Sequence, residues 1–187
     1  MIRCYITDSI AMGGVPKLLD AVRRILELGV DWIQVREKHL EAGQLLDVTC
    51  RIIELARPAS VKVLVNTRAD VAMVAGADGL HLPGNSIPVK SWRAVVPENW
   101  LVGVSTHSAA EAVEAERAGA GYVLLSPVFR SLSKPGYGPP LGLNAVAAVA
   151  GKLRIPLLAL GGVNSSNAAS CVRAGAAGVA GISLFQG

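Results

Sequence analysis

Gln34-Val35-Arg36-Glu37-Lys38 places an amide and two cations at every second position, directly after the apolar run Val30-Asp31-Trp32-Ile33. In an extended chain alternate side chains share a face, so Gln34, Arg36 and Lys38 project together if the strand continues through them. Such a set makes a poor core and a good anion seat, with a guanidinium and an ammonium for phosphate oxygens. Taken alone, an Arg-x-Lys pair past a strand is more often a solvated end, and the elements around it decide.

Those elements repeat. Ile2 to Ile6 reads as a strand ending in Thr7-Asp8-Ser9, and Val15 to Leu28 as a helix with apolar positions three and four apart. Gly29 closes that helix, and the second strand begins at Val30. The same punctuation returns in Ala75-Gly76-Ala77-Asp78, Ala118-Gly119-Ala120-Gly121 and Ala174-Gly175-Ala176-Ala177, at intervals suited to two βα units. Further strands fall at Val61 to Val65, Trp100 to Val104 and Ile155 to Leu160, with helices at 41–57, 68–75, 88–96, 108–118, 142–152 and 164–174. Eight strands alternating with helices predict an α/β fold, a (βα)8 TIM barrel forming a single domain over residues 1–187. Its last helix is missing or truncated, because the sequence stops just after the eighth strand. The apolar face thereby left near the first and seventh helices predicts a homo-oligomer.

In such a barrel the reactive face lies at the carboxyl ends of the strands. The residues there are Asp8; Gln34, Arg36 and Lys38; Asn66, Thr67 and Arg68; His81 and Pro83 to Ser86; Ser105, Thr106 and His107; Ser126-Pro127; Gly161 to Asn164; and Ile182-Ser183. Gly161-Gly162 after the seventh strand and Gly181-Ile182-Ser183 at the eighth would turn backbone N–H groups toward an anion, where barrels commonly seat a phosphate. The loop from Phe129 to Gly142 carries Ser131, Ser133 and Lys134, two hydroxyls and an ammonium, on a stretch rich in Gly and Pro that suits a lid. His81 and His107 read either as general acid–base groups or as hydrogen-bonded residues of the rim.

Composition excludes several classes. Apolar residues make up 51% and aromatics 4%, and the net charge of +4 comes from scattered Lys and Arg rather than a basic run. Nucleic-acid binding is not expected. Cys4, Cys50 and Cys171 have no metal-type spacing and read as buried reduced thiols. No apolar run reaches a membrane span and no leader pattern precedes Ile2, so a cytoplasmic protein is expected. There is no Ser-His-Asp arrangement, metal-spaced His/Cys set or P-loop.

Nearly the whole sequence resembles the family of thiamine phosphate synthase and its relative, the thiazole tautomerase. The resemblance is carried by Tyr5-Ile6-Thr7-Asp8, Gln34-Val35-Arg36-Glu37-Lys38, Asn66-x-Arg68-x-Asp70-Val71-Ala72 and Asp78-Gly79-Leu80-His81-Leu82. It continues in Gly103-Val104-Ser105-Thr106-His107-Ser108, Pro127-Val128-Phe129-x-Ser131-x-Ser133-Lys134, Leu160-Gly161-Gly162 and Val179-Ala180-Gly181-Ile182-Ser183. It implies phosphorylated thiamine precursors as ligands and no organic cofactor. Gln34, Arg36, Lys38, Asn66, Ser131, Ser133 and Lys134 match the positions that hold an aminopyrimidine pyrophosphate. Gly161-Gly162 with Ile182 and Ser183 match a thiazole phosphate seat, and Ser105 a residue near the reacting centre. The implied reaction is a dissociative displacement driven by neutralising the leaving pyrophosphate.

The departures bear on the reaction. The synthase pattern implies a carboxylate where Thr67 stands and another where Ser86 stands, and these would hold Mg²⁺. No metal is therefore expected at the usual positions, and use of Mg²⁺ stays open. The stretch Leu82-Pro83-Gly84-Asn85-Ser86 looks more like the tautomerase branch, yet that branch implies a catalytic His where this sequence has Pro127. Three readings follow: a synthase-like transferase; a tautomerase, an isomerase using His81 or His107; and a non-catalytic thiazole phosphate-binding homologue. Retention of the Gln-x-Arg-x-Lys and Ser-x-Ser-Lys sets favours the first, since a tautomerase has no pyrophosphate to hold.

Overall fold

The computed structural model describes residues 1–130 and 139–185. Eight parallel strands close into a barrel: β1 (Ile2–Ile6), β2 (Trp32–Val35), β3 (Lys62–Asn66), β4 (Gly79–Leu82), β5 (Leu101–Thr106), β6 (Tyr122–Leu125), β7 (Leu157–Ala159) and β8 (Gly178–Gly181). Each pairs with the next, and β1 closes the cylinder on β8 with Cys4 opposite Ala180. The helices are α1 (Ser9–Met12), α2 (Val15–Glu27), α3 (Ala42–Ala56), α4 (Ala69–Ala75), α5 (Val89–Arg93), α6 (Ala109–Arg117), α7 (Gly142–Ala150) and α8 (Ala168–Arg173). The expected TIM barrel is what the chain forms.

The strands read as continuous apolar runs because both faces are covered. One face packs on the helices: Ile33, Val63, Val65, Leu80, Val102 and Val123 meet Leu18, Val22 and Ile25 of α2 and their counterparts on the other helices. The other face fills the lumen with Cys4, Ile6, Trp32, Leu64, Tyr122, Leu124, Leu158 and Ala180. Burial pushes the Cys4 thiol up to about 12, assisted by Asp31, so it is an inert part of this filling. Gly29, Gly76, Gly119 and Gly175 all take left-handed φ, which is why that residue marks the ends of the helices.

Boundaries differ from the sequence reading where side chains intervene. The second strand starts at Trp32, not Val30, because the Asp31 carboxylate accepts from the Arg3 N–H (2.7 Å). The last full helix starts at Ala168, not 164: Asn164 and Asn167 side chains tie up the preceding turn. The 88–96 helix shortens to Val89–Arg93. The strand carrying Gln34 ends at Val35, so the alternation that was to carry Arg36 and Lys38 lapses into a turn. After β8 comes a short 3-10 turn, Ser183–Phe185. Its Phe185 ring packs edge-on to Tyr5 at 6.2 Å and lies beneath the Arg3 guanidinium, covering part of the outer face of β1.

Candidate active site

The carboxyl ends of β1 to β3 build one wall. Gln34 is buried at the end of β2, and its amide N–H donates to Asn66 Oδ1 on β3 at 3.2 Å. Its own Oε1 is buried with no partner among the described residues. The next turn is pinned twice. Thr7 Oγ1 accepts from the Arg36 N–H (2.9 Å), and the buried Glu37 carboxylate accepts from both the N–H and hydroxyl of Ser9 (2.9 and 2.6 Å). Glu37 is thereby turned toward α1, while half-buried Arg36 lies close enough to His81 to act on its charge. Lys38 is exposed.

Thr67 holds a left-handed backbone (φ 62), costly for a β-branched residue. Its hydroxyl donates to the Asn66 carbonyl at 2.6 Å and accepts from Asn66 Nδ2 at 3.3 Å. Ser86 donates its hydroxyl to the Ile87 carbonyl at 2.9 Å. Neither position supplies an anionic ligand, and Asp70, the nearest carboxylate in sequence, is held by Arg68 at 2.8 and 2.5 Å. That pairing keeps the Asp70 carboxyl down at about 2. Among the described residues no three of His, Cys, Asp and Glu cluster as a metal seat. The donor chemistry at Thr67 and Ser86 does not fit Mg²⁺.

A second wall comes from β4 to β6. His81 lies inside the barrel rather than on its rim, 2% exposed, with Nδ1 2.8 Å from the Tyr122 hydroxyl and Nε2 2.8 Å from Ser105 Oγ. Burial, then the nearby charge of Arg36, push its imidazole down to about 3, so it is neutral near pH 7. Exposed His107 donates from Nδ1 to the Ser126 carbonyl at 2.7 Å. Ser131, Ser133 and Lys134 lie outside the described residues.

The third wall is the glycine corner after β7. Gly161 and Gly162 have φ of 89° and 65°, and a Cβ on Gly162 would stand 2.5 Å from the Arg130 carbonyl oxygen. The N–H groups of Gly162 and Val163 donate to no described acceptor. Asn167 fastens the corner: its Nδ2 donates to the Gly162 carbonyl (3.0 Å) and its Oδ1 accepts from the Asn164 N–H (2.8 Å). Ile182 and Ser183 follow on the adjoining β8. The barrel thus gathers Gln34, Arg36, Asn66, His81, Ser105, Gly161, Gly162, Ile182 and Ser183 at one end.

Tyr122 and Asn167 were not singled out in the sequence. For Tyr122 the signal was a phenol opening an otherwise aliphatic strand, paired across the sheet with Gly103. Asn167 belongs to an Asn-x-x-Asn turn after the glycine pair.

Neutral His81 makes stability depend on pH. The unfolded histidine, with an ordinary value of 6.5, takes up a proton that the folded ring refuses until about pH 3. The His81 contribution is therefore complete above pH 6.5 and is lost as pH falls toward 3, at up to ~1.4 kcal/mol per pH unit. Urea unfolding between about pH 7 and about pH 4 should follow this fall, and His81→Gln should flatten it. An undiminished slope in the variant would assign the fall to carboxylates instead.

Residues 4–185 match the family described as thiamine monophosphate synthase. The thiamine-phosphate synthase of Methanoculleus marisnigri is 40% identical over 183 residues, covering 98% of this chain and 87% of the relative. A putative thiamine-phosphate synthase 2 of Aquifex aeolicus is 38% identical over 167 residues, 89% of each chain. Among solved structures, a thiamine phosphate pyrophosphorylase from Pyrococcus furiosus superposes with a TM-score of 0.88 at 28% identity, covering 99% of this chain and 90% of that one. A 3-hexulose-6-phosphate synthase, at 22% identity and a TM-score of 0.72, shares the fold alone. With the barrel, the polar residues at its carboxyl-end rim and these relatives in agreement, the chain belongs to the thiamine monophosphate synthase family.

Proposed function

We propose that this protein is a thiamine phosphate synthase, a transferase that joins an aminopyrimidine pyrophosphate to a thiazole phosphate. The C–O bond between the pyrimidine methylene and pyrophosphate breaks with its electron pair leaving on oxygen. The thiazole nitrogen then gives its lone pair to the methylene carbon, and pyrophosphate departs. The observation that carries this reading over an isomerase is the pair Arg36 and Lys38, cations at the mouth with no carboxylate partner among the described residues. An isomerase would have no leaving anion for them.

In this reading Arg36 and Lys38, with Lys134 from the loop outside the described residues, neutralise the charge that grows on the leaving oxygen. The partnerless Gln34 Oε1 is the acceptor available to an exocyclic amine, with Asn66 holding the Gln34 amide in place. The Gly162 and Val163 N–H groups serve the thiazole phosphate, supported by Ile182 and Ser183. Mg²⁺ has no anionic ligand at Thr67 or Ser86, so the cationic side chains act in its place.

We take the protein to be cytoplasmic; among the described residues no helix is long and apolar enough to cross a membrane. The proposal includes a homo-oligomer, for which exposed Ile10 beside α2 and Ala147 and Ala148 on α7 offer apolar surface. Incubating the protein with both precursors, with and without Mg²⁺, tests the reaction: thiamine phosphate should form, and should form without added metal. Aromatisation of the thiazole alone would favour the tautomerase reading, and binding without turnover a non-catalytic homologue.

A further inference from the structure

The chain Tyr122–His81–Ser105 runs from the lumen to the mouth. Tyr122 is fully buried, and among the described residues its hydroxyl has one partner, His81 Nδ1 at 2.8 Å. If Nδ1 carried the ring proton, the phenol would accept it and its own hydrogen would be left buried with no acceptor. The phenol therefore donates to Nδ1. His81 is neutral, so its single proton is on Nε2, and Nε2–H donates to Ser105 Oγ at 2.8 Å. With its oxygen accepting from His81, half-buried Ser105 must send its hydrogen elsewhere, and the open side is the mouth at the end of β5.

We infer that Tyr122 fixes the proton on His81 so that Ser105 presents its hydroxyl as a donor to an acceptor atom of the bound substrate. Tyr122 is thus a positioning residue, acting through His81 on a contact at Ser105. The opposite polarity, Ser105 donating to Nε2, would make the hydroxyl a nucleophile of the hydrolase kind, for which this displacement has no use. The ring of Tyr122 is itself held by Trp32 at 5.0 Å and by the space that Gly103 leaves across the strand pair.

The inference rests on the synthase reading for its activity measurement only; the proton's place can be read without substrate. Long-range ¹⁵N–¹H spectra of the ligand-free protein, with His81 assigned by the signals lost in His81→Gln, should show Nε2 protonated and Nδ1 bare near neutral pH. A protonated Nδ1 overturns the inference whatever the variants do. Tyr122→Phe, which removes only the hydroxyl, should lower kcat/KM for thiamine phosphate formation by about tenfold. In the Ser105→Ala background the same change should cost less than about twofold. Equal losses in both backgrounds would mean that Tyr122 acts on the fold and not through Ser105, and would also overturn it.

Discussion

Arg36→Ala should weaken the affinity for inorganic pyrophosphate by about a hundredfold, the loss of a charge-assisted contact of ~2–3 kcal/mol. The size of the effect follows from how the residue is held. Its N–H is tied to Thr7 and the following Glu37 is drawn away to Ser9, so the guanidinium has no competing anion nearby and its base cannot shift to compensate. Arg36→Lys should recover only part of the affinity, because an ammonium lacks the planar fork that grips two phosphate oxygens together. Titration calorimetry with pyrophosphate reads both variants, and affinity unchanged in Arg36→Ala would remove this residue from the anion seat.

Gly103→Ala should destabilise the protein by ~3 kcal/mol or more, at the upper end of what overpacking costs. A methyl there would stand 1.9 Å from Cζ of Tyr122. That ring has nowhere to go, lying against Trp32 and bonded to His81. The damage should be local in origin, so Gly103→Ala combined with Tyr122→Leu should regain much of the stability without regaining the turnover of the parent. Thermal or urea unfolding checks the first statement and steady-state rates the second. A Gly103→Ala protein as stable as the parent would show that the ring moves freely in the lumen.

The barrel was legible because its signals are local and repeated: helix-ending glycines in left-handed φ, apolar runs of strand length, and polar residues after nearly every strand. That Gln34, Arg36 and Asn66 come together at neighbouring strand ends was legible for the same reason, since it needs only strand ends and the rule that such barrels open at one face. What stayed hidden depends on contacts between strands. Nothing in the sequence near His81 says that Ser105 and Tyr122 will bracket its two nitrogens, because that follows from the register of three neighbouring strands. Glu37 could not be told from its cationic neighbours as a buried clamp on Ser9, since the partner lies on another strand loop. The early end of the second strand at Val35 was masked by the regular alternation of Gln34, Arg36 and Lys38.

The twisted step at Thr67 bears on how tightly substrate can be held. A threonine in left-handed backbone stores ~1–3 kcal/mol of strain, and its hydroxyl, accepting from Asn66 Nδ2, helps keep the Asn66 amide aimed at Gln34. Both amides are therefore immobilised before any ligand arrives. Under the proposed function an incoming pyrimidine would not have to freeze those rotors, so the entropic penalty of recognition at this wall would be met during folding.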